Sequence, residues 1–231
     1  MFDVLFPPGR AAAADALLEV GSGRRVLLNM VATIDGHVTR EGGSTQLGGD
    51  GDRELFFALR GIVDGVLAGT GTLGSESYGR LIATPERRAA RESRGLAADA
   101  ALLVITRSGE VPWDAPLFAE PEQRVLIAGP ARVPAGVRAR VEVFAADGPR
   151  AALDGFAARG VERVLCEGGP GLNRALLAER LVDELFVTVD ASLSGGEGLR
   201  MVEGDALRPV PGARLLWVLR RDDELYLRYE L

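Results

Sequence analysis

The sequence predicts an α/β protein built on a mixed, mostly parallel sheet that is flanked by helices. Short apolar runs typical of buried strands alternate with helical patterns through most of the chain. Two further apolar runs, residues 214–219 and 225–229, close the chain around the charged triplet RDD, which is typical of an antiparallel hairpin. Because no linker or repeat interrupts this pattern, we expect one domain over residues 1–231, with residues 1–24 packed on it as an extension.

The first half of the chain is predicted to contain two buried strands joined by a helix. Residues 26–34 (VLLNMVATI) are almost entirely apolar and rich in β-branched residues, as a central strand requires. A helix is predicted over residues 53–63, where apolar side chains recur on one face, and residues 64–68 return to a strand pattern. The polar, glycine-rich residues 37–49 leave room for a ligand. Other predicted elements are a short helix within 11–20, strands at 124–128, 141–144 and 185–189, and a helix at 150–159.

A glycine-rich segment follows the strand at residues 64–68. Gly69, Gly71 and Gly74 fit the dinucleotide pattern G-x-G-x-x-G, which is informative only when it opens directly into a helix. Polar residues continue here through Gly79, so we expect a loop and no helix before about residue 85. The pattern alone does not indicate an ordinary dinucleotide fold.

A cation and a hydroxyl follow the next predicted strand, residues 101–106. An NAD site usually has an acidic residue near this point for the ribose hydroxyls, whereas Arg107 and Ser108 suit a 2′-phosphate. If a nicotinamide cofactor binds, these residues favour NADP over NAD. The alternative is that they form an ordinary solvated turn.

A second glycine turn lies between a predicted strand at residues 161–165 and a helix. Gly168, Gly169 and Gly171 permit positive φ and the close approach of a ligand, and Pro170 suits the first turn of a helix. The free N–H groups and partial positive charge at a helix start favour a phosphate. The turn is therefore a candidate diphosphate site. The alternative is that its glycines only connect strand to helix.

Composition excludes several classes of function. The 33 acidic and 27 basic residues give a net charge of −6 and a pI near 5.0, which does not favour nucleic acid or anionic membranes. Cys166 and His37 are the only residues of their types, which excludes disulfides, Cys/His zinc sites and Cys/His catalytic pairs. We expect no metal site. No apolar stretch reaches the ~18 residues of a membrane span and the N-terminus lacks a signal-peptide pattern, so we expect a cytoplasmic protein.

Several segments of the chain carry linked motifs. They are NMVATIDGHVT at residues 29–39, Ser44 and Arg60, DGVLAGTGTL at residues 64–73, and CEGGPGLNRALLAERLVDELFV at residues 166–187. In this order and spacing they resemble the reductase domain of riboflavin biosynthesis. In bacteria that domain is often fused to a zinc deaminase, which the single cysteine and histidine exclude here.

The resemblance implies a fold, a cofactor and a reaction. The fold is the dihydrofolate-reductase-like three-layer α/β/α arrangement. The cofactor is NADPH, and hydride passes to the carbon of the imine that forms when a ribosylamine ring opens, so the protein supplies alignment rather than a nucleophile. The family's substrate is a small molecule, a 5-amino-6-ribosylaminouracil 5′-phosphate, and its members are commonly homodimers.

The resemblance and the loop positions also assign roles to residues. Those expected to bind substrate are Asn29, Ser44, Arg60, Tyr78, Arg80 and Glu167. Those expected to bind the cofactor are Ala32, Gln46, Gly69, Gly71, Thr72, Glu76, Arg107, Ser108, Gly168, Gly169, Pro170, Gly171, Leu172 and Asn173. Asp35 or Glu167, or a water that either holds, is expected to supply the proton. The alternatives are that Asp35 only forms the turn that ends a strand and that Arg60 only solvates a helix face.

Three positions depart from the family's usual pattern. Asn29 stands where lysine is usual, Gln46 where tryptophan is usual, and Ala83 where arginine is usual, a role that Arg80 is near enough to take. Losing a cation near the sugar or phosphate removes charge-assisted hydrogen bonds. Three hypotheses follow: an NADPH-dependent pyrimidine reductase, a reductase of pterin, dihydrofolate or another carbonyl or imine compound with the same fold and cofactor, and a nucleotide-binding module without turnover.

Overall fold

The computed structural model describes residues 1–18, 23–40 and 47–231, and these form two compact units. The first unit contains residues 1–18, 26–40, 47–59 and 170–231, and the second contains residues 23–25 and 60–169. The strands are β1 (Asp3–Phe6), β2 (Arg25–Thr33), β3 (Gly65–Ala68), β4 (Ala101–Ile105), β5 (Arg124–Ala128), β6 (Arg140–Phe144), β7 (Arg163–Cys166), β8 (Glu184–Asp190), β9 (Arg214–Arg221) and β10 (Glu224–Glu230). The α-helices are α1 (Ala14–Leu17), α2 (Asp50–Arg60), α3 (Thr70–Ser75), α4 (Pro85–Ser93), α5 (Gly148–Ala157) and α6 (Pro170–Ala178), and a 3₁₀ turn spans Pro116–Ala119.

The sheet of the first unit is mixed. Its strands follow the order β1-β9-β10-β8-β2, in which three neighbouring pairs are antiparallel and β2 runs parallel to β8. The apolar run in β2 is buried from Val26 to Met30, which explains its almost unbroken hydrophobic sequence. β9 and β10 form the hairpin that the sequence predicts, with Arg221 opposite Glu224 and with Asp222 at a φ of 55° in the turn.

The sheet of the second unit is entirely parallel. Its strands follow the order β7-β3-β4-β5-β6. β3, and all of β4 except Ile105, are buried, and Val66, Leu102 and Val125 contribute to one apolar core. In a parallel sheet the loops that follow the carboxyl ends of the strands lie along one edge, where ligands usually bind. The loops after β3, β4 and β7 therefore share an edge of the second unit.

Helix α3 contradicts the expectation that no helix begins before residue 85. It starts directly after β3, and the Leu73 N–H donates to the Gly69 carbonyl at 2.9 Å. The sequence TGTLGS has a low helix propensity, which is why the pattern was misread. The Leu73 side chain is fully buried in the core of the second unit, and this burial outweighs the unfavourable propensity.

The N-terminal segment also differs from expectation. Within residues 11–18 the predicted helix is reduced to the single turn of α1, and β1, which the sequence did not indicate, pairs antiparallel with β9. The other elements begin and end within a few residues of their predicted bounds. The organisation as one domain stays a prediction.

Candidate active site

Two glycine loops meet at the carboxyl edge of the second unit's sheet. The N–H of Gly69, which follows β3, donates to the carbonyl of Gly168, which follows β7, at 3.0 Å. A Cβ added at Gly69 would lie 3.3 Å from that same oxygen. Gly168 and Gly169 have φ angles of 95° and 85°, which L side chains rarely adopt. The backbone therefore requires glycine at positions 168 and 169, whereas at Gly69 a side chain would only be tightly packed.

Glu167 lies beside these loops in a buried ion pair. Its Oε1 accepts from Arg60 Nε at 2.6 Å, and its Oε2 accepts from Arg60 Nη2 at 2.7 Å and from the Tyr78 hydroxyl at 2.7 Å. The Arg60 and Glu167 side chains are 9% and 3% exposed. Arg60 Nη1 also donates to the Leu81 carbonyl at 3.1 Å. Three residues predicted to bind substrate are therefore in direct contact, in what we call the Glu167 cluster: Arg60, Tyr78 and Glu167.

The charges within the Glu167 cluster reinforce one another. Burial works against the charged guanidinium, but the adjacent Glu167 carboxylate outweighs this effect and raises the pKa of Arg60 above its ordinary value. Burial, with the nearby negative charge of Glu167, raises the pKa of Tyr78 well above its ordinary value of 10.0. Tyr78 therefore stays protonated and donates. Arg60 donates two hydrogen bonds to the Glu167 carboxyl group and Tyr78 donates one, so this group acts as an acceptor towards both residues.

The backbone of Arg60 is held by a residue that the sequence analysis missed. Arg91 of α4 is fully buried, and its Nη1 donates to the carbonyls of Arg60 and Val63, the latter at 2.8 Å. Burial lowers the pKa of Arg91 to about 10, which leaves it charged at neutral pH. These carbonyls belong to the last residue of α2 and the turn after it, so Arg91 stabilises the segment that presents Arg60. An arginine within a charged helix gives no sequence signal of such burial.

Asp35 lies in the first unit, in the turn after β2. Its carboxylate accepts from the Thr33 hydroxyl, from the Gly195 N–H at 2.7 Å and from the Ser194 N–H at 3.2 Å. The Thr33 and Gly195 hydrogen bonds are the main reasons that the pKa of Asp35 is well below its ordinary value of 3.8. His37 Nδ1 lies 3.2 Å from Asp35 Oδ2. Because the carboxylate is ionised at neutral pH, it is poorly suited to donate a proton itself.

The first turn of α6 carries several of the residues predicted to bind the cofactor. Asn173 is fully buried and its Nδ2 donates to the Met201 carbonyl at 2.8 Å and to the Met30 sulfur at 3.3 Å. A Cβ added at Gly171 would meet no atom of the described structure within 4 Å. A helix start with an open, unshielded glycine is suited to a phosphate. The start of α6 could therefore hold the diphosphate of a nucleotide cofactor.

The remaining predicted residues are distributed over several elements. Arg80 pairs with Asp99 through two hydrogen bonds, of which that from Nε measures 3.1 Å. Gly71, Thr72 and Leu172 lie in α3 or α6, Glu76 ends α3, Asn29 and Ala32 are buried in β2, and the exposed Arg107 and Ser108 form the turn after β4. Ser44 and Gln46 lie outside the described residues. The role of each residue stays a prediction.

Comparison with known proteins identifies the family. The family model of the RibD C-terminal domain matches residues 24–222. The chain belongs to this family. A 2,5-diamino-6-ribosylamino-4(3H)-pyrimidinone 5′-phosphate reductase of Methanothermobacter thermautotrophicus is 28% identical over 191 residues, which are 79% of this chain and 85% of that protein. The reductase of the same name from Archaeoglobus fulgidus is 26% identical over 180 residues, 74% of this chain and 82% of that protein.

Solved structures show the same fold. A pyrimidine reductase-like protein of Corynebacterium diphtheriae aligns with a TM-score of 0.78 at 20% identity, over 95% of this chain and 98% of that one. RibD of Acinetobacter baumannii aligns with a TM-score of 0.72 at 23% identity, over 90% of this chain and 58% of that one. The resemblance seen in the sequence and the dihydrofolate-reductase-like fold are thereby confirmed.

Neither a membrane span nor a metal site is found in the described part of the chain. None of the helices in this part is both long and apolar enough to cross a membrane. Residues 1–18, 23–40 and 47–231 contain no group of three His, Cys, Asp or Glu side chains placed to hold a metal ion.

Proposed function

We propose that this protein is an NADPH-dependent reductase that converts a 5′-phosphorylated ribosylaminopyrimidine to its ribitylamino product. The observation that carries the proposal is the buried Glu167 cluster beside the glycine loops after β3 and β7, in a chain of the RibD C-terminal domain family. Relatives from M. thermautotrophicus and A. fulgidus are named as reductases of the 2,5-diamino-pyrimidinone phosphate. We therefore propose that compound as the first substrate, followed by the aminouracil analogue.

NADPH is the cofactor that best fits the proposed site. When bound, it supplies the hydride that adds to the imine carbon of the substrate. The amides at the start of α6 are suited to its diphosphate. Arg107 and Ser108, exposed in the turn after β4, are suited to its 2′-phosphate. No acidic side chain precedes them in that turn to select NAD.

The Glu167 cluster is the proposed substrate contact of the second unit. Glu167 Oε1 accepts from Arg60, and a carboxylate oxygen can accept two hydrogen bonds, so an amino or ring N–H of the pyrimidine can add to it. Arg60 and Tyr78 fix the plane of the carboxylate, which limits the orientations that a bound pyrimidine can take.

The protonation states bear on the source of the proton. Both oxygens of Glu167 already accept hydrogen bonds from Arg60 or Tyr78, and Thr33 with two backbone amides lowers the pKa of Asp35. We infer that neither carboxyl group donates the proton directly. A water that Glu167 holds is the better candidate, which was one of the alternatives from the sequence. The rate should then show no fall between pH 5 and pH 7 that the Asp35→Asn substitution removes.

A turnover assay tests the proposed function. Purified protein is mixed with NADPH and, separately, with the 2,5-diamino-pyrimidinone phosphate, the aminouracil phosphate and dihydrofolate, and the loss of NADPH absorbance is followed. We expect oxidation with a ribosylaminopyrimidine phosphate and none with dihydrofolate. Turnover of dihydrofolate alone would select the second hypothesis. NADPH binding without any turnover would select a non-catalytic module, which the replacement of the family's usual lysine by Asn29 supports. Cytoplasmic location and a homodimer stay predictions.

A further inference from the structure

We propose that Asp35 is a positioning residue: it holds residues 191–205, which we call the strap, so that the strap supports the first turn of α6. The inference rests on the proposed function in one respect, because it takes that turn to bind the diphosphate of NADPH. All of the residues concerned belong to the first unit. Asp35 then contributes to nucleotide affinity through the strap and not as the acid of the reaction.

One end of the strap is fastened to the turn after β2. Two of its amides, those of Ser194 and Gly195, donate to the Asp35 carboxylate. Backbone hydrogen bonds of 2.9 Å on either side join the Ile34 N–H to the Ser192 carbonyl and the Val38 N–H to the Leu199 carbonyl. Arg200 also donates through Nη1 to the Asp35 carbonyl. Asp35 is thus the residue whose side chain and main chain both bind the strap.

The other end of the strap is fastened to α6. The Met201 carbonyl accepts from Asn173 Nδ2, and the Asp205 carbonyl accepts from Arg174 Nε, both at 2.8 Å. The Glu203 N–H donates to the carbonyl of Pro170, the first residue of α6, at 3.4 Å. The strap therefore connects the turn after β2 with the part of α6 that carries the proposed phosphate contacts.

Packing fixes the middle of the strap against His37. The imidazole is only 2% exposed, and a Cβ added at Gly198 would lie 2.5 Å from its Cδ2 atom. Within the described residues neither ring nitrogen has a hydrogen-bond partner, although Nδ1 lies 3.2 Å from Asp35 Oδ2. His37 therefore acts mainly as a surface on which the strap rests, and Gly198 is required for the close approach.

The strap depends on these hydrogen bonds because it forms no helix and no extended strand that would stabilise its backbone. A segment without regular structure depends on a few hydrogen bonds, and it opens locally at a low cost in free energy when one of them is removed. Replacing the carboxylate by an amide leaves one strap N–H facing an NH₂ donor and removes the charge that strengthens the other bond. The strap should then open more often, and the support it gives to Asn173 and Pro170 should weaken.

The test compares Asp35→Asn with Asp183→Asn. Asp183 also binds a backbone amide with its carboxylate, that of Val26 at 2.7 Å, but at the opposite end of β2 and away from the strap. In Asp35→Asn we expect the amides of Ser194 and Gly195 to exchange hydrogen about tenfold faster without nucleotide, and the Kd for NADPH by calorimetry to rise about tenfold. In Asp183→Asn both quantities should equal those of the wild type. At saturating NADPH, kcat of Asp35→Asn should stay within about twofold of the wild type, because a positioning role acts on binding.

A second variant tests the inference independently in case Asp35→Asn does not fold. Gly198→Ala leaves Asp35 intact and displaces the strap from His37, so it should also accelerate amide exchange and weaken NADPH binding. A large fall in kcat with an unchanged Kd in Asp35→Asn would show a catalytic acid and overturn the inference, as would unchanged exchange and Kd in both strap variants. If the wild type itself bound no NADPH, the proposed function would fall, and this inference with it.

Discussion

At the scale of single residues, the environment of Glu167 is determined by its hydrogen-bond partners. It is a buried carboxylate, and its charge is compensated mainly by the two parallel hydrogen bonds of Arg60. Removing one partner of a buried pair leaves an uncompensated charge, which costs more than the pair itself contributes. The cluster therefore contributes both to stability and to the proposed contact with the substrate.

Glu167→Gln should lower the free energy of unfolding by about 3 kcal/mol, because Arg60 stays buried without a counter-charge. Tyr78→Phe is the matched control, since it removes one hydrogen bond to the same carboxylate and leaves the ion pair intact. It should cost about 1 kcal/mol. Denaturation in urea measures both values. Equal losses in the two variants would show that the Arg60 charge is compensated elsewhere.

Asp52 should make stability depend on pH in the acidic range. Burial, followed by repulsion from Glu224 and Asp190, raises the pKa of Asp52 from 3.8 to about 6 in the folded protein, although the Thr188 hydroxyl opposes the shift. The folded state thus binds its proton more tightly than the unfolded state. This contribution is fully present below pH 3.8 and is lost as the pH rises to 6, by at most about 3 kcal/mol.

The measurement is the difference in free energy of unfolding between the wild type and Asp52→Asn, taken from pH 4 to pH 8. The wild type should lose stability relative to the variant as the pH rises through this window and then run parallel to it. Subtraction removes the opposite dependence expected from Asp35 and Asp64, whose pKa values are lowered in the fold. A constant difference would show that Asp52 is solvated.

The sequence identifies Arg60, Tyr78 and Glu167 as separate candidates, but it does not predict the contacts between them. Arg60 and Glu167 are 107 positions apart in the sequence. No local pattern predicts that an arginine at the end of one helix pairs with a carboxylate that follows a strand so far along the chain. The pairing of Arg80 with Asp99 was likewise not predicted, and its proposed contact with the substrate stays a prediction. Charge and position along the chain identify candidates, whereas burial and pairing depend on the tertiary fold.

At the scale of elements, the glycine segments contain two kinds of glycine: those required by a positive φ angle and those in ordinary helical geometry. Gly169 has a φ of 85°, so an alanine there is strained whatever space surrounds it. Gly71 lies inside α3 with ordinary helical geometry, and a Cβ there would meet no described atom within 4 Å. The two glycines belong to similar motifs in the sequence and have different physical roles.

Gly169→Ala should lower the melting temperature, with a cost of about 1 to 3 kcal/mol for a non-glycine residue at positive φ. Gly71→Ala should leave stability unchanged or raise it by up to about 1 kcal/mol, because alanine is the better helix former. Thermal unfolding of the two variants without nucleotide checks this. A stable Gly169→Ala protein would indicate that the turn relaxes to another conformation.

Predictions at the element level succeeded where hydrophobic pattern and tertiary context agree. β2, β5 and the closing hairpin combine continuous apolar runs or clear turn residues with burial, and their positions were predicted to within two residues. The prediction of a loop in place of α3 was wrong because the burial of a single side chain, that of Leu73, outweighs the poor local helix propensity. β1 was missed because a strand of four residues depends on its partner β9 for its hydrogen bonds.

At the scale of the whole molecule, a ligand that binds only the folded protein raises its stability by mass action. A nucleotide present at 100 times its Kd adds about 2.7 kcal/mol to the free energy of unfolding, whichever residues it contacts. The melting temperature therefore reports cofactor choice without needing a substrate or turnover. It tests the cofactor independently of the identity of the pyrimidine.

NADPH should raise the melting temperature more than NADH at equal concentration, because the exposed Arg107 and Ser108 favour a 2′-phosphate. Arg107→Ala should reduce the shift produced by NADPH and leave that produced by NADH unchanged. Arg138→Ala is the matched control, since it removes another exposed cation from the same unit, at the amino end of β6 and so at the opposite edge of the parallel sheet from the turn after β4. If both arginine variants reduced the NADPH shift equally, net charge would explain the preference. If neither did, the 2′-phosphate would have to be recognised elsewhere, and the turn after β4 would be only the solvated turn that its sequence also allows.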